Sequence, residues 1–459
     1  MAGVGFSLKK LGSGDSYFAM TRVYGTAAMI SSGPWLISIL TLLIVGVVAR
    51  RWVPDTVMLQ RFQVSVTWIF AASLVFAGPM QLLLTRFVAD RIYEKKDELV
   101  LPNLLGALGI TSAVAGVFAL GLFPLFAEES IEYRCLLGTG FVILCNIWLV
   151  IAMLSGIREH REIFYSFLIG YGVTFGGIFL LAKWGEEGLL AGFVLGQGVL
   201  LLRSLHILTS RQTGDTAVAW GFFRREQVYP ELLLIGLFFN GAIWIDKLLF
   251  WLNPLTSVHV LGPLRSSEVY DLPIFLAYLA IVPGMAVFLL RIETDYAEKH
   301  TAFYDALVSG ATLGDLEQLR NRMSTAARRG ILDICKVQGL VVVLCIVFAP
   351  EILRFFGIST LHVTLFYVDV LGVSLQVILL TVISILFYLD RRITVLALTG
   401  LLLVSNTVGT VLSQQSGVAF YGFGFTGAVS LTCLVGLIVL RAKFDNLVMD
   451  TFMQRPTGG

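Results

Sequence analysis

The chain is short of charge. Only 14% of its 459 residues are charged, while 57% are hydrophobic and mean hydropathy is +0.83. Soluble globular proteins carry roughly 25% charged residues. A soluble fold of this size cannot hide so much apolar surface from water. That excludes a secreted enzyme, a disordered scaffold and a nucleic-acid-binding domain as descriptions of the whole chain. An integral membrane protein remains.

Chemistry-bearing motifs are scarce too. The cysteines Cys135, Cys145, Cys335, Cys345 and Cys433 are odd in number and lie in or beside apolar runs. No C-x-x-C occurs and no histidine sits at metal-ligand spacing, so the thiols read as small packed hydrophobes. There is no D-x-D, no H-E-x-x-H and no Gly-Lys dipeptide, hence no Walker A loop and no built-in ATPase. The five histidines are scattered. These absences argue against an enzyme and predict no metal site and no cofactor, leaving only a coupling H+ or Na+ open.

Long apolar runs are what the chain does have. A spanning helix needs about 20 mostly apolar residues. Twelve runs qualify: Thr26–Ala49, Val64–Arg86, Pro102–Phe123, Cys135–Ile157, Ile163–Leu181 and Leu189–Leu208, then Glu231–Leu252, Leu272–Leu290, Ile331–Phe348, Val363–Leu389, Ile393–Leu412 and Phe420–Leu440. Membrane strands are about half that length and alternate in polarity, so a barrel does not fit. The first run starts too late and is too long for a signal-peptide h-region, and it is expected to stay as a span.

Charge placement gives the direction. Twelve spans put both termini on one side. That side collects 24 of the Lys and Arg residues, among them Lys9, Arg86, Arg203, Arg291 and Arg441. The other side holds seven: Arg50, Arg51, Arg61, Arg134, Lys183, Arg265 and Arg354. Cations accumulate in cytoplasmic loops, so both termini are expected in the cytoplasm. Arg50 and Arg51 form the one discordant loop.

A repeat runs through the chain. Gly78-Pro79-Met80, Arg86 and Asp90 are echoed by Pro283-Gly284-Met285, Arg291 and Asp295, the Met, Arg and Asp each 205 positions later. An Arg and an Asp four apart share a helix face and can pair. One such pair is an ordinary helix-end salt bridge; its recurrence is what carries weight. The same offset maps span one onto span seven. The reading is an all-α polytopic membrane protein, twelve transmembrane helices in two six-helix lobes related by a parallel pseudo-two-fold along the membrane normal. The lobes are 1–210 and 229–459, joined by a cytoplasmic connector 211–228.

The longest soluble stretch, 291–330, has six acids and six bases and so does not read as a polybasic lipid patch. Leu313, Leu316, Leu319 and Met323 recur at helical spacing and predict an amphipathic helix. It either covers the base of its own lobe or docks a cytoplasmic partner.

Ionisable groups inside spans are costly and often functional. Asp246 and Lys247 stand out in span seven, with Asn240 six residues earlier. Neighbours about 100° apart do not share a helix face, so at least one is expected to face a cavity or another lobe. Asp246 either binds a coupling cation or pairs with Lys247 or another helix; Lys247 is expected near the outer interface, where it can snorkel. Asp369 with Gln376 in span ten, Asn146 in span four, Gln197 in span six and Asn406 in span eleven are further polar points. Each amide is either interhelical glue or part of a sugar-lined cavity. Kinks are expected at Gly33-Pro34, Pro79 and Pro283, where proline removes a backbone donor. Matching kinks in two repeats suit a transporter better than a rigid anchor.

Two six-helix halves, kinked first helices and no ATPase resemble the multidrug/oligosaccharidyl-lipid/polysaccharide exporter (MOP) superfamily. The opening Met1-Ala2-Gly3-Val4-Gly5-Phe6, Leu8-Lys9-Lys10-Leu11 and Ile30-Ser31-Ser32-Gly33-Pro34-Trp35 resemble, more closely, the start of the PelG family of inner-membrane exporters. Chain length, Thr85-Arg86-Phe87 at the end of span two and the long loop between spans eight and nine are similar as well. The resemblance implies export of Pel exopolysaccharide, an N-acetylgalactosamine-rich polymer of the biofilm matrix. It implies PelD and PelE as inner-membrane partners and the cytosolic glycosyltransferase PelF as the source of the polymer. The expected route is a cavity lined by spans one, two, seven and eight. The alternatives are a cation-coupled small-molecule or drug exporter, a lipid-linked oligosaccharide flippase of the same fold, and a membrane-embedded glycosyl- or acyltransferase.

Overall fold

The computed structural model describes residues 25–30, 32, 37–38, 41, 56–157, 159–211, 217–223 and 229–453. Most of the expected first span, with its kink residues Gly33 and Pro34, lies outside the described residues.

The described chain is helical apart from one hairpin. In order it runs α1 (Thr56–Tyr93), α2 (Val100–Leu122), α3 (Ile131–Gly156), α4 (His160–Leu181), α5 (Gly185–Arg211) and α6 (Pro230–Leu252). The antiparallel strands β1 (Val258–Leu261) and β2 (Leu264–Ser266) follow. Then come α7 (Glu268–Tyr278), α8 (Ile281–Leu290), a π-helical turn Arg291–Tyr296, α9 (Ala297–Val308), α10 (Leu313–Val347) and α11 (Ala349–Phe355). The series ends with α12 (Val363–Tyr388), α13 (Arg392–Ser416), α14 (Phe423–Asp445) and α15 (Leu447–Met453). Helices dominate because lipid offers no partner for backbone N–H and C=O groups, and a helix satisfies them internally.

Ten helical stretches among the described residues are long and apolar enough to cross a membrane. One of them, His160–Arg211, spans 52 residues and is the α4–α5 pair. The chain is therefore a multi-pass membrane protein.

Two compact units emerge from the packing. One is Gly33–Glu268; the other joins Met1–Ser32 to Val269–Gly459. The sequence-order lobes 1–210 and 229–459 group α6 with the second half. In the packing, α6 lies with the first unit, against α1.

Small residues set the closest approaches. Gly188, Gly192 and Gly196 repeat every four residues along one face of α5. A methyl on Gly192 would strike the backbone of Gly177 and Ile178; one on Gly196 would lie 2.6 Å from the carbonyl oxygen of Gly170. Helices in lipid associate through such close packing, since apolar burial alone distinguishes little between protein and lipid tails.

Two expected elements differ. Span eight is not one straight helix: α7 and α8 are separated at Leu279–Ala280, ahead of Pro283, and the helical path continues through the π turn to Val308. The stretch 291–330 is not a detached loop either. Its predicted amphipathic helix is the first half of α10, which runs on without a break into span nine. Leu316 and Met323 are buried, Leu319 is half-buried and Leu313 is exposed. The stripe packs on α9 and α15 of its own unit, so it covers that unit's base.

Replacing Gly192 by Leu should force α4 and α5 apart. The expected cost is about 1–3 kcal/mol from overpacking, read as a lower melting temperature in detergent than a Gly198→Leu control, whose Cβ meets nothing within 4 Å.

Candidate functional site

The polar residues singled out in the sequence are placed separately within each unit. In Gly33–Glu268, Asp246 and Lys247 sit on α6, 0% and 1% exposed. Lys247 Nζ donates to Asp246 at 3.0 and 3.2 Å and to the Ile243 carbonyl at 2.9 Å. Of the two alternatives for Asp246, the structure shows the pair with Lys247, although the two residues do not share a helix face. The lysine stem is long enough to fold back along its own turn and bring the ammonium to the adjacent carboxylate. The expected snorkelling of Lys247 is corrected, since its head is sealed from solvent. A buried pair of this kind balances desolvation against a close Coulomb contact.

Asn240 lies six residues before Asp246, where α6 crosses α1. Gly236 and Gly78 meet backbone to backbone there, and a methyl on Gly236 would strike Gly78. Asn240 Nδ2 donates to the Gly236 carbonyl at 2.9 Å and stands against Gly78, just before Pro79. Pro79 removes one ladder bond, yet α1 continues to Tyr93. Further along the pair, Trp251 packs at a tilt against Trp68 (centroids 4.7 Å) and Trp244 (6.2 Å). Trp68 Nε1 donates to the Arg265 carbonyl at 2.8 Å, tying the hairpin to α1.

Asn146 and Gln197 are used locally. Asn146 Nδ2 donates to Ser112 Oγ (2.9 Å) and to the Val142 carbonyl (2.8 Å). Gln197 Nε2 donates to Thr174 Oγ1 at 3.4 Å. Arg86 pairs with Asp90 at 3.1 Å, and its guanidinium lies 5.4 Å from the Tyr229 ring centre.

The second unit holds the other half of the repeat. Arg291 reaches Asp295 at 3.0 Å and Asp333 of α10 at 2.9 Å. Pro283 sits in the first turn of α8, and Gly284 packs against the Gln338 amide of α10. The Gly78-Pro79 and Pro283-Gly284 steps thus each face a side-chain amide: Asn240 in one unit, Gln338 in the other. Gln338 is 2% exposed and neither of its amide atoms has a hydrogen-bond partner among the described residues.

Asp369 of α12 is fully buried. A methyl on Gly422, which has φ +84° and caps the N-terminus of α14, would lie 2.7 Å from Asp369 Oδ1. The carboxylate therefore rests at a helix N-terminus, where the macrodipole favours negative charge. Gln376, two turns deeper, is half-buried and its Oε1 has no hydrogen-bond partner among the described residues. Asn406 Oδ1 accepts from Thr410 at 3.1 Å.

Sequence reading missed two clusters. Arg61 bridges Glu129 (2.6 Å) and Glu186 (2.7 Å), partners 68 and 125 residues away. At the π turn, Tyr388 donates to Glu293 at 2.8 Å, and His300 Nε2 lies 2.8 Å from the Tyr388 carbonyl. No spacing rule links such distant residues. Among the described residues no group of His, Cys, Asp and Glu could hold a metal ion.

Comparison with known proteins supplies the family. Residues 1–452 match the family model described as "PelG: Putative exopolysaccharide Exporter (EPS-E)". The chain belongs to the PelG family. Among solved structures it is similar to an outward-facing multidrug resistance MATE transporter of the MOP superfamily (TM-score 0.66, 16% identity, 96% of this chain and 98% of that one). It is also similar to an inward-facing multidrug resistance MATE transporter of that superfamily (0.64, 14%, 92% and 99%). A MOP superfamily transporter from Pyrococcus furiosus is a third (0.64, 16%, 97% and 99%). No curated protein matches the chain. At these identities the solved structures show the fold, and that fold is MATE-like. PelG membership and the MATE-like fold are those of transporters and exporters rather than enzymes.

Lys247→Met removes the ammonium from a carboxylate sealed away from solvent. Breaking a buried pair costs about 3–5 kcal/mol, while replacing both partners is close to neutral. The single variant should melt well below wild type in detergent, and Asp246→Asn with Lys247→Met should recover most of the loss.

Proposed function

We propose that this PelG-family chain exports Pel exopolysaccharide, an N-acetylgalactosamine-rich polymer, from cytoplasm to periplasm across the bacterial inner membrane, for the biofilm matrix. The observation that carries the reading is the exopolysaccharide-exporter match over residues 1–452 on a MATE-like fold. The sequence carries no Walker A loop. Twelve spans with both termini in the cytoplasm agree with the distribution of Lys and Arg.

In this reading PelF makes the polymer in the cytosol, and PelD and PelE assemble with the exporter in the membrane. The Gly78-Pro79 step beside Asn240 and the Pro283-Gly284 step beside Gln338 give α1 and the α7–α8 path places to bend. The amide of Gln338 and Oε1 of Gln376, without hydrogen-bond partners among the described residues, suit hydroxyl groups of a sugar. Asp246, locked to Lys247, serves as a structural pair, which leaves Asp369 the better carboxylate for an H+ or Na+ couple.

Deletion of the gene should abolish secreted Pel polymer, and the wild-type chain should restore it. Asp369→Asn at matched membrane levels should cut secretion severalfold. Unchanged secretion after deletion would refute the exporter reading. Drug sensitivity on deletion would then point to a small-molecule exporter, and accumulated lipid-linked sugar to a flippase.

A further inference from the structure

Helix α10 presents two faces along its whole length. Leu316, Met323, Ala327, Gly330, Ile334 and Gln338 form the packed face. The opposite face is open. A spacing of seven residues returns to the same face within about 20°, so Arg322, Arg329 and Lys336 line up along it. The same line then continues as Leu340, Val343 and Val347, which are 61%, 56% and 61% exposed.

An apolar face that stays exposed in a membrane protein faces lipid tails. The expected span Ile331–Phe348 is about 27 Å long at 1.5 Å per residue, close to the roughly 30 Å hydrocarbon layer. Arg328 and Arg329 then sit at headgroup level. Lys336, whose side chain is 75% exposed, rises from five residues inside the apolar stretch and can snorkel to the same level. Arg322 lies about 10 Å farther from the lipid.

Composition alone hid this arrangement, because the acids of 291–330 average the bases away. In the structure the nearby acids are already engaged. Asp333 is shared by Arg291 (2.9 Å) and Lys336 (3.2 Å), and Asp295 is held by Arg291. Those four groups carry no net charge, yet the exposed Lys336 ammonium, whose partner among the described residues is Asp333, keeps N–H donors for a phosphate. Arg328 and Arg329 remain as local excess charge, both exposed and in no ion pair among the described residues.

We propose that Arg328, Arg329 and Lys336, where α10 leaves the hydrocarbon layer, bind the phosphate headgroup of an anionic phospholipid while Leu340, Val343 and Val347 contact its tails. Charge complementarity and the unbroken run into the lipid-facing stripe favour lipid over a soluble acidic protein. Each cation near an anionic surface contributes about fivefold in affinity. The effect decays over a Debye length of about 8–10 Å, so Arg322 should matter little.

The test is native mass spectrometry of the full-length chain in detergent, titrated with phosphatidylglycerol or phosphatidylethanolamine. Wild type should retain phosphatidylglycerol at least tenfold more tightly. The triple variant R328Q/R329Q/K336Q should lose that preference, R322Q should stay within twofold of wild type, and R328K/R329K should preserve binding. If the triple variant does not fold, R329Q alone should weaken binding about fivefold. Unchanged phosphatidylglycerol binding in a folded triple variant would overturn the proposal. So would an equal loss in R322Q, which would mark a charge-dependent protein contact. Displacement of the lipid by equimolar glycerol 3-phosphate would overturn it in favour of a soluble phosphate.

Discussion

Hydrocarbon gives no hydrogen bonds, and that constraint shapes the whole molecule. Every polar atom in a span must find its partner in protein. Lys247 does so within one turn, on Asp246 and the Ile243 carbonyl. Asn146, Gln197, Asn240 and Asn406 do so on the nearest hydroxyl or carbonyl. What remains is informative by contrast. The Gln338 amide and Gln376 Oε1 are among the buried groups with no hydrogen-bond partner among the described residues, as Asn146 Oδ1 also is, and a polar cargo could satisfy them.

The same constraint governs how the helices touch. With no hydrophobic drive between helix and lipid, contact depends on close backbone approach. Glycine supplies it at Gly177 against Gly192 and at Gly78 against Gly236. The second contact lets α6 lie on α1 in a unit that ends at Glu268. It also places a proline step and an amide side by side. The second unit repeats that design with different residues: Pro283 and Gly284 against Gln338.

Much of this was legible in the sequence. Long apolar runs announced the spans, and the 205-residue echo announced the Arg86–Asp90 and Arg291–Asp295 pairs, both formed at about 3 Å. These signals are local or periodic, so a single sequence carries them. The Asp246–Lys247 pair was one of two open alternatives, because helical angles describe where Cβ atoms point, not where a four-carbon stem can fold. Arg61 with Glu129 and Glu186, and Glu293 with Tyr388, were invisible because tertiary packing alone brings them together. The amphipathic helix over 313–323 was legible from its spacing, but its unbroken run into span nine was not, because the charged stretch ahead of Ile331 reads as separate from the span.

We propose that the chain moves a sugar polymer across the membrane. The most direct measurement uses inside-out membrane vesicles with and without the chain, loaded externally with radiolabelled N-acetylgalactosamine polymer. Label should become protected from external glycoside hydrolase only in vesicles that contain the chain. Equal protection in both preparations, or none in either when PelD, PelE and PelF are also present, would contradict it.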